Sequence, residues 1–149
     1  MLRFASAVIV CLLAGAILLA AEKNRKLGGE EAKLLEGTWR LVKGQINGAD
    51  FPTDEKHPVI LEITGDHYKL TAESPDEGTV RLFPDKSPKA MDVIGTKGPN
   101  KGKTFPAIYE LKGDQLKVCY DLSGKERPKE FKSSPRTQLF LATYEREKR

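Results

Sequence analysis

"TFPAIYELKGDQLKVCY", residues 104–120, decides the fold. Phe105, Ala107, Tyr109 and Leu111 recur at every second position, and so do Leu116, Val118 and Tyr120. A period of two places each row on one face of an extended chain, so both runs read as strands with one side turned to a core. Gly113-Asp114 joins them. Glycine adopts positive φ without steric cost, which makes this pair a natural two-residue hairpin turn.

Moving outward, the same pattern recurs across the chain. We read eight strands: Thr38–Lys43, Val59–Thr64, His67–Ala72, Thr79–Phe83, Ala90–Ile94, Thr104–Leu111, Gln115–Tyr120 and Gln138–Tyr144. Trp39 shares a face with Leu41; Val59, Leu61 and Ile63 share another; Tyr68 goes with Leu70, Val80 with Leu82, Met91 with Val93. The last strand is apolar on both faces, so parity does not assign its inside. Gly65-Asp66 is a second two-residue hairpin connection. Many short strands with such turns imply a sandwich or a barrel.

In up-and-down order the connections sort by length. Gly65-Asp66, Pro84–Lys89 and Gly113-Asp114 gather the short ones at one pole. Gly44–Pro58, Glu73–Gly78, Gly95–Lys103 and Asp121–Thr137 gather the longer ones at the other. A barrel with one tight and one loop-rich end is a cup. The expected fold is therefore all-β: a small up-and-down antiparallel barrel of about eight strands. Trp39, the single tryptophan, would fill the closed end, with Gly37 turning the backbone beneath it and Arg146 laid over its ring. Such a cation–π contact contributes roughly 0.5–2 kcal/mol.

The N-terminus differs from the rest. After Arg3 the stretch from Phe4 to Ala21 carries no charge, and small residues collect toward its end. Residues 1–21 read as a secretory signal peptide or an uncleaved N-terminal anchor. Export follows, to the periplasm or the outside, or tethered at the membrane if the segment stays. Residues 22–33 read as a polar tether. Glu30–Glu36 reads as a short capping helix carried by Leu34 and Leu35 and stopped by Gly37. Residues 34–149 form the barrel domain.

Gly37-Thr38-Trp39, on the first strand after a short helix, resembles the G-x-W signature of lipocalins and other calycins. Region 33–146 also resembles a family of small exported domains of unknown function abundant in planctomycete bacteria. "LEGTWRLV" (35–42), "GPNKGKTFPAIYELKGDQLKVCY" (98–120) and "GKERPKEF" (124–131) carry that likeness. The resemblance implies a lipocalin-like barrel and names no activity.

Signatures of catalysis are sparse. His57 and His67 have no partner at metal-ligand spacing. Gly-x-Ser-x-Gly, a phosphate loop and Cys-x-x-Cys are missing from the sequence. We expect no cofactor and no metal. Cys119 lies on the face opposite Val118 and Tyr120, beside Lys117 and Asp121, where it reads as a small buried hydrophobe before it reads as a reactive thiol. Without residues 1–21 the net charge falls from +4 to about +3. That is too mild and too dispersed for nucleic acid.

Binding is the remaining class. Tyr68, Tyr109 and Tyr120 have inward parity, and Tyr120 ends its strand at the open pole. The loops there divide by charge. Asp50, Asp54, Glu55, Glu73, Asp76 and Glu77 lie on one side; Lys97, Lys101, Lys103, Lys125, Arg127, Lys129, Lys132 and Arg136 lie on the other. Segment 121–136 is long for a structureless connection, so it reads as a short extra strand or a lid whose Phe131 tucks into the mouth. The leading expectation is an exported, non-catalytic module holding a small or anionic ligand through Tyr120, Tyr109, Tyr68, Lys103, Arg127 and Phe131. The alternatives are an envelope module with a side-chain-filled barrel, docking a protein or polyanion through its basic loops, and an enzyme using Cys119 or Tyr120.

Overall fold

The computed structural model describes residues 5–148. Its elements are one helix, α1 (Ala5–Leu35), and nine strands: β1 (Gly37–Ile46), β2 (Ala49–Phe51), β3 (Ile60–Thr64), β4 (His67–Thr71), β5 (Asp76–Phe83), β6 (Ala90–Lys97), β7 (Thr104–Lys112), β8 (Gln115–Asp121) and β9 (Leu139–Arg146). Each strand from β3 to β9 pairs antiparallel with the next, and β1 pairs with both β3 and β9. The sheet therefore closes into an eight-stranded up-and-down antiparallel barrel, with β2 added at its rim. Closure removes the unpaired edges that an open sheet would present.

All eight expected strands form. The ninth, β2, hairpins back from β1 through Asn47-Gly48, with φ of 52° and 76°. Positive φ at both central residues is what a two-residue hairpin turn needs, and Asn-Gly is its strongest sequence signal.

The closed end is built as expected. Trp39 is fully buried, and its Nε1–H donates to the Leu35 carbonyl at 2.9 Å. The Arg146 guanidinium lies over the indole, 4.1 Å from the ring centroid. It donates to the carbonyls of Leu34 and Glu36 and pairs with Asp114. These are the orphan carbonyls at the C-terminal end of α1, where a cation is also favoured by the helix dipole. Gly37 has φ +139°, and a Cβ there would meet Arg146 Nη1 at 2.7 Å.

Two expectations are corrected. The tether 22–33 and the separate short helix 30–36 are one continuous helix ending at Leu35. Docking supports it: Glu31 and Leu35 are buried against the barrel, and Glu31 Oε1 accepts from Lys89 Nζ at 2.7 Å and Tyr109 Oη at 3.1 Å. That anchorage offsets a glycine pair costing roughly 1 kcal/mol each in a helix. The leader or anchor expected at 1–21 lies partly outside the described residues; from residue 5 onward it is helical. Among the described residues no helix is long and apolar enough to cross a membrane.

Segment 121–136 is the second correction. It is neither a strand nor a lid. It lies on the outside of the wall, where Phe131 packs with Ala90, Ile108, Cys119, Leu139 and Leu141. Asp121 starts it by accepting the backbone N–H groups of Ser123, Lys125 and Glu126. Arg127 pins its middle, donating to the carbonyls of Met91 and Ala107 and pairing with Asp92 at 2.6 Å. The Asn47 side chain and the Gly48 N–H hold its far end, at Arg136 and Ser133. This outer covering explains why β9 is apolar on both faces: Ala142 and Tyr144 face the barrel core, while Leu139 and Leu141 face the segment.

Candidate functional site

The inner faces of the strands do not fill the barrel. They enclose a cavity of about 670 Å³. Leu61, Leu70, Leu82, Met91, Val118 and Phe140 are among the apolar side chains of its wall. Volume and lining fit a pocket for one small, largely apolar molecule. Beside the helix the cavity reaches Gly28, Gly29 and Ala32. A Cβ on either glycine would meet nothing within 4 Å, so these residues keep a crevice open rather than allow a close contact.

At the loop-rich end, where β5 begins, the lining turns polar. Asp76, buried at 5 % exposure, opens β5 after the 72–75 connection. Its Oδ2 accepts from the Tyr68 hydroxyl at 2.8 Å and from Asn100 Nδ2 at 3.0 Å. Its Oδ1 is buried with no hydrogen-bond partner. Burial raises the Tyr68 phenol well above its ordinary pKa, and the Asp76 hydrogen bond and charge raise it further.

Two glycines set this arrangement, facing each other across β5 and β6. A Cβ on Gly78 would fall 2.6 Å from Tyr68 Cε1 and 2.0 Å from the Ile94 carbonyl oxygen. A Cβ on Gly95 would fall 2.0 Å from the Asn100 carbonyl oxygen. No side chain fits at either place, so the Tyr68 ring and the 98–102 turn close in on Asp76.

Tyr120 and Tyr144, also on the lining, face each other with their hydroxyls 3.3 Å apart, and Phe140 stacks on Tyr120 at 6.0 Å between ring centroids. Burial pushes both phenols up; for Tyr120 the nearby Tyr144 adds to the effect.

The structure divides the expected ligand residues. Tyr68 and Tyr120 line the cavity. Tyr109 points inward but belongs to the floor, bonded to Glu31, and burial followed by the Glu31 charge pushes its phenol up. Arg127 and Phe131 are on the outer wall, for the reasons given above. Lys103 is exposed in the connection before β7 and outside the lining. Cys119 also faces the outer wall, where burial pushes its thiol up and Sγ donates to the Lys132 carbonyl at 3.5 Å. His57 and His67 are exposed beside Asp54 and Asp66. Among the described residues no group of three His, Cys, Asp or Glu side chains is arranged to hold a metal ion.

The sequence places Asp76 only among the acidic loop residues of the open pole, and does not single out Gly78, Gly95 or Asn100. A signal existed for two of them. Stepping back by twos from Leu82 and Val80 reaches Gly78 and then Asp76, so parity places both inside. Asn100 lies in a turn, where parity says nothing. No family model, curated protein or solved structure matches this chain.

Proposed function

We propose that the protein is an exported, non-catalytic module that holds one small, largely apolar molecule inside its barrel. The supporting observation is the cavity itself, with apolar walls and a buried polar group at the loop-rich end. Eight strands suffice either to pack a barrel solid or to hold one small ligand, and here the volume is left open. The charged leader followed by an apolar stretch supports export, and the likeness to calycins around Gly37-Thr38-Trp39 agrees with carriage. An anionic ligand draws less support, because Arg127 is committed to the outer wall and Lys103 stands off the lining. Chemistry at Cys119 draws less as well, since a buried thiol of raised pKa is a poor nucleophile.

The test is a titration with the apolar fluorophore N-phenyl-1-naphthylamine. Saturable binding is expected for the wild type. Val118→Trp, or Leu82→Trp if the first variant does not fold, fills the cavity and abolishes it. Val42→Trp, on the exposed outer face of β1, leaves it intact. Absence of binding to the wild type, or binding unchanged by a cavity-filling variant that folds, overturns the reading.

A further inference from the structure

Asp76 is a buried carboxylate short of one partner. Glu31, Glu77 and Asp92 each have a lysine or arginine at ion-pair distance. Asp76 pairs with no cationic side chain among the described residues; its two donors, Tyr68 and Asn100, are neutral and share Oδ2. Oδ1 takes nothing. A charge removed from water without a counter-charge is costly to the fold. Native proteins leave few such groups, and those few commonly mark a site.

We propose that the cavity takes an amphipathic cation: an alkyl or aryl ammonium whose body lies along the apolar shaft and whose charged end lies beside Asp76. This rests on the cavity being a ligand site, and adds the chemistry of the ligand's polar end. An ammonium supplies what the site lacks, a positive charge beside the carboxylate. The 98–102 turn covers Oδ1: a Cβ on Gly98 would fall 3.1 Å from it and 2.6 Å from the Pro75 carbonyl oxygen, so glycine lets the turn close over the carboxylate and seal it from water. The Tyr68 and Asn100 bonds fix the carboxylate before any ligand arrives, which lowers the ordering cost of binding. Lys33, on the helix, and Arg81 also line the cavity; both are exposed, and the acidic Glu36 and Asp66 line it as well.

Calorimetric titration of the full chain with n-decylamine, 1-decanol and decanoate tests the proposal, since the three share a body and differ in head group. The amine is expected to bind at least about tenfold more tightly than the alcohol, a difference of about 1.4 kcal/mol, and the carboxylate more weakly than either. Asp76→Asn keeps an acceptor for Tyr68 and Asn100 and removes the charge. It should bring the amine to the level of the alcohol and leave the alcohol within about twofold of wild type. Equal affinity of the wild type for amine and alcohol overturns the proposal without any variant. So does tighter binding of decanoate, or a loss in Asp76→Asn that is the same for amine and alcohol. In each of these cases the cavity remains a ligand site. If none of the three binds, the carrier reading fails and this inference with it.

Discussion

The Arg146 guanidinium sits 4.1 Å from the centroid of the Trp39 ring while its nitrogens hold the carbonyls of Leu34 and Glu36. One side chain thus joins the last strand, the first strand and the end of the helix. Arg146→Ala removes the cation–π contact and leaves the helix carbonyls unpaired. We expect a loss of roughly 2–4 kcal/mol in urea unfolding. Arg146→Lys should recover less than half of it, because an ammonium lacks the planar fork that reaches two carbonyls and still covers a ring. A variant with wild-type stability would mean that the closed end is held by packing alone.

Arg127 now predicts stability rather than ligand affinity. Its bonds to two carbonyls and Asp92 fasten segment 121–136 to the wall. Arg127→Ala should cost roughly 2–3 kcal/mol and open the segment to limited proteolysis. N-phenyl-1-naphthylamine affinity should stay at the wild-type value, because the residue is outside the cavity. A lost affinity with an intact segment would return it to the mouth.

Asp121 gives the start of the same segment a dependence on acid. Burial alone would raise its carboxyl, but the Glu126 N–H, the Ser123 hydroxyl and the N–H groups of Ser123 and Lys125 outweigh burial and hold it below 3.8. A carboxyl depressed in the folded state stabilises above its unfolded pKa, and that contribution is lost as pH falls through the folded value. Asp121→Ala should cost about 1–3 kcal/mol near neutrality. The gap to wild type should narrow below pH about 4; a gap constant with pH would show that the carboxylate's charge is not what matters.

The four tyrosines work in the opposite direction. All have phenols raised above 10.0, chiefly by burial. The folded state therefore keeps protons that the unfolded state releases. Their contribution is complete below the free phenol value and is lost as pH climbs from there toward the folded values. Absorbance of the native protein should show little tyrosinate at pH about 10, where free phenols are half ionised. Further alkali should produce tyrosinate together with the loss of circular dichroism. A smooth titration centred on the free value would show that the rings are accessible.

Cys119 should resist alkylation, being buried on the outer wall beneath Phe131 with a raised thiol pKa. Iodoacetamide should label it on the order of a hundredfold more slowly in the native protein than in urea, since reaction requires local opening. Peptide mapping separates it from Cys11. Rapid native labelling would reinstate it as a candidate nucleophile.

The barrel was legible because closing one asks mainly for local patterns. Alternation in 105–111 and 116–120, with glycine turns at Gly65 and Gly113, gives strands and hairpins through contacts between sequence neighbours. Asn47-Gly48 carried the same kind of signal and was passed over inside a long polar stretch. Trp39 and Gly37 marked the floor because a large ring and a sterically free backbone suit few places in a small barrel.

What the amino-acid order alone determined is the eight strands of the barrel, their antiparallel succession and the closed end. The tertiary structure decided which outer surface would be covered, that the polar stretch before the barrel would be helical, and that Asp76 would meet Tyr68 and Asn100. Those outcomes depend on pairs far apart in the chain: Glu31 with Tyr109, Arg127 with Asp92, Asn100 with Asp76. Periodicity reports which side of a strand a residue takes, whereas the neighbour it finds there is fixed only when the sheet closes and its loops settle.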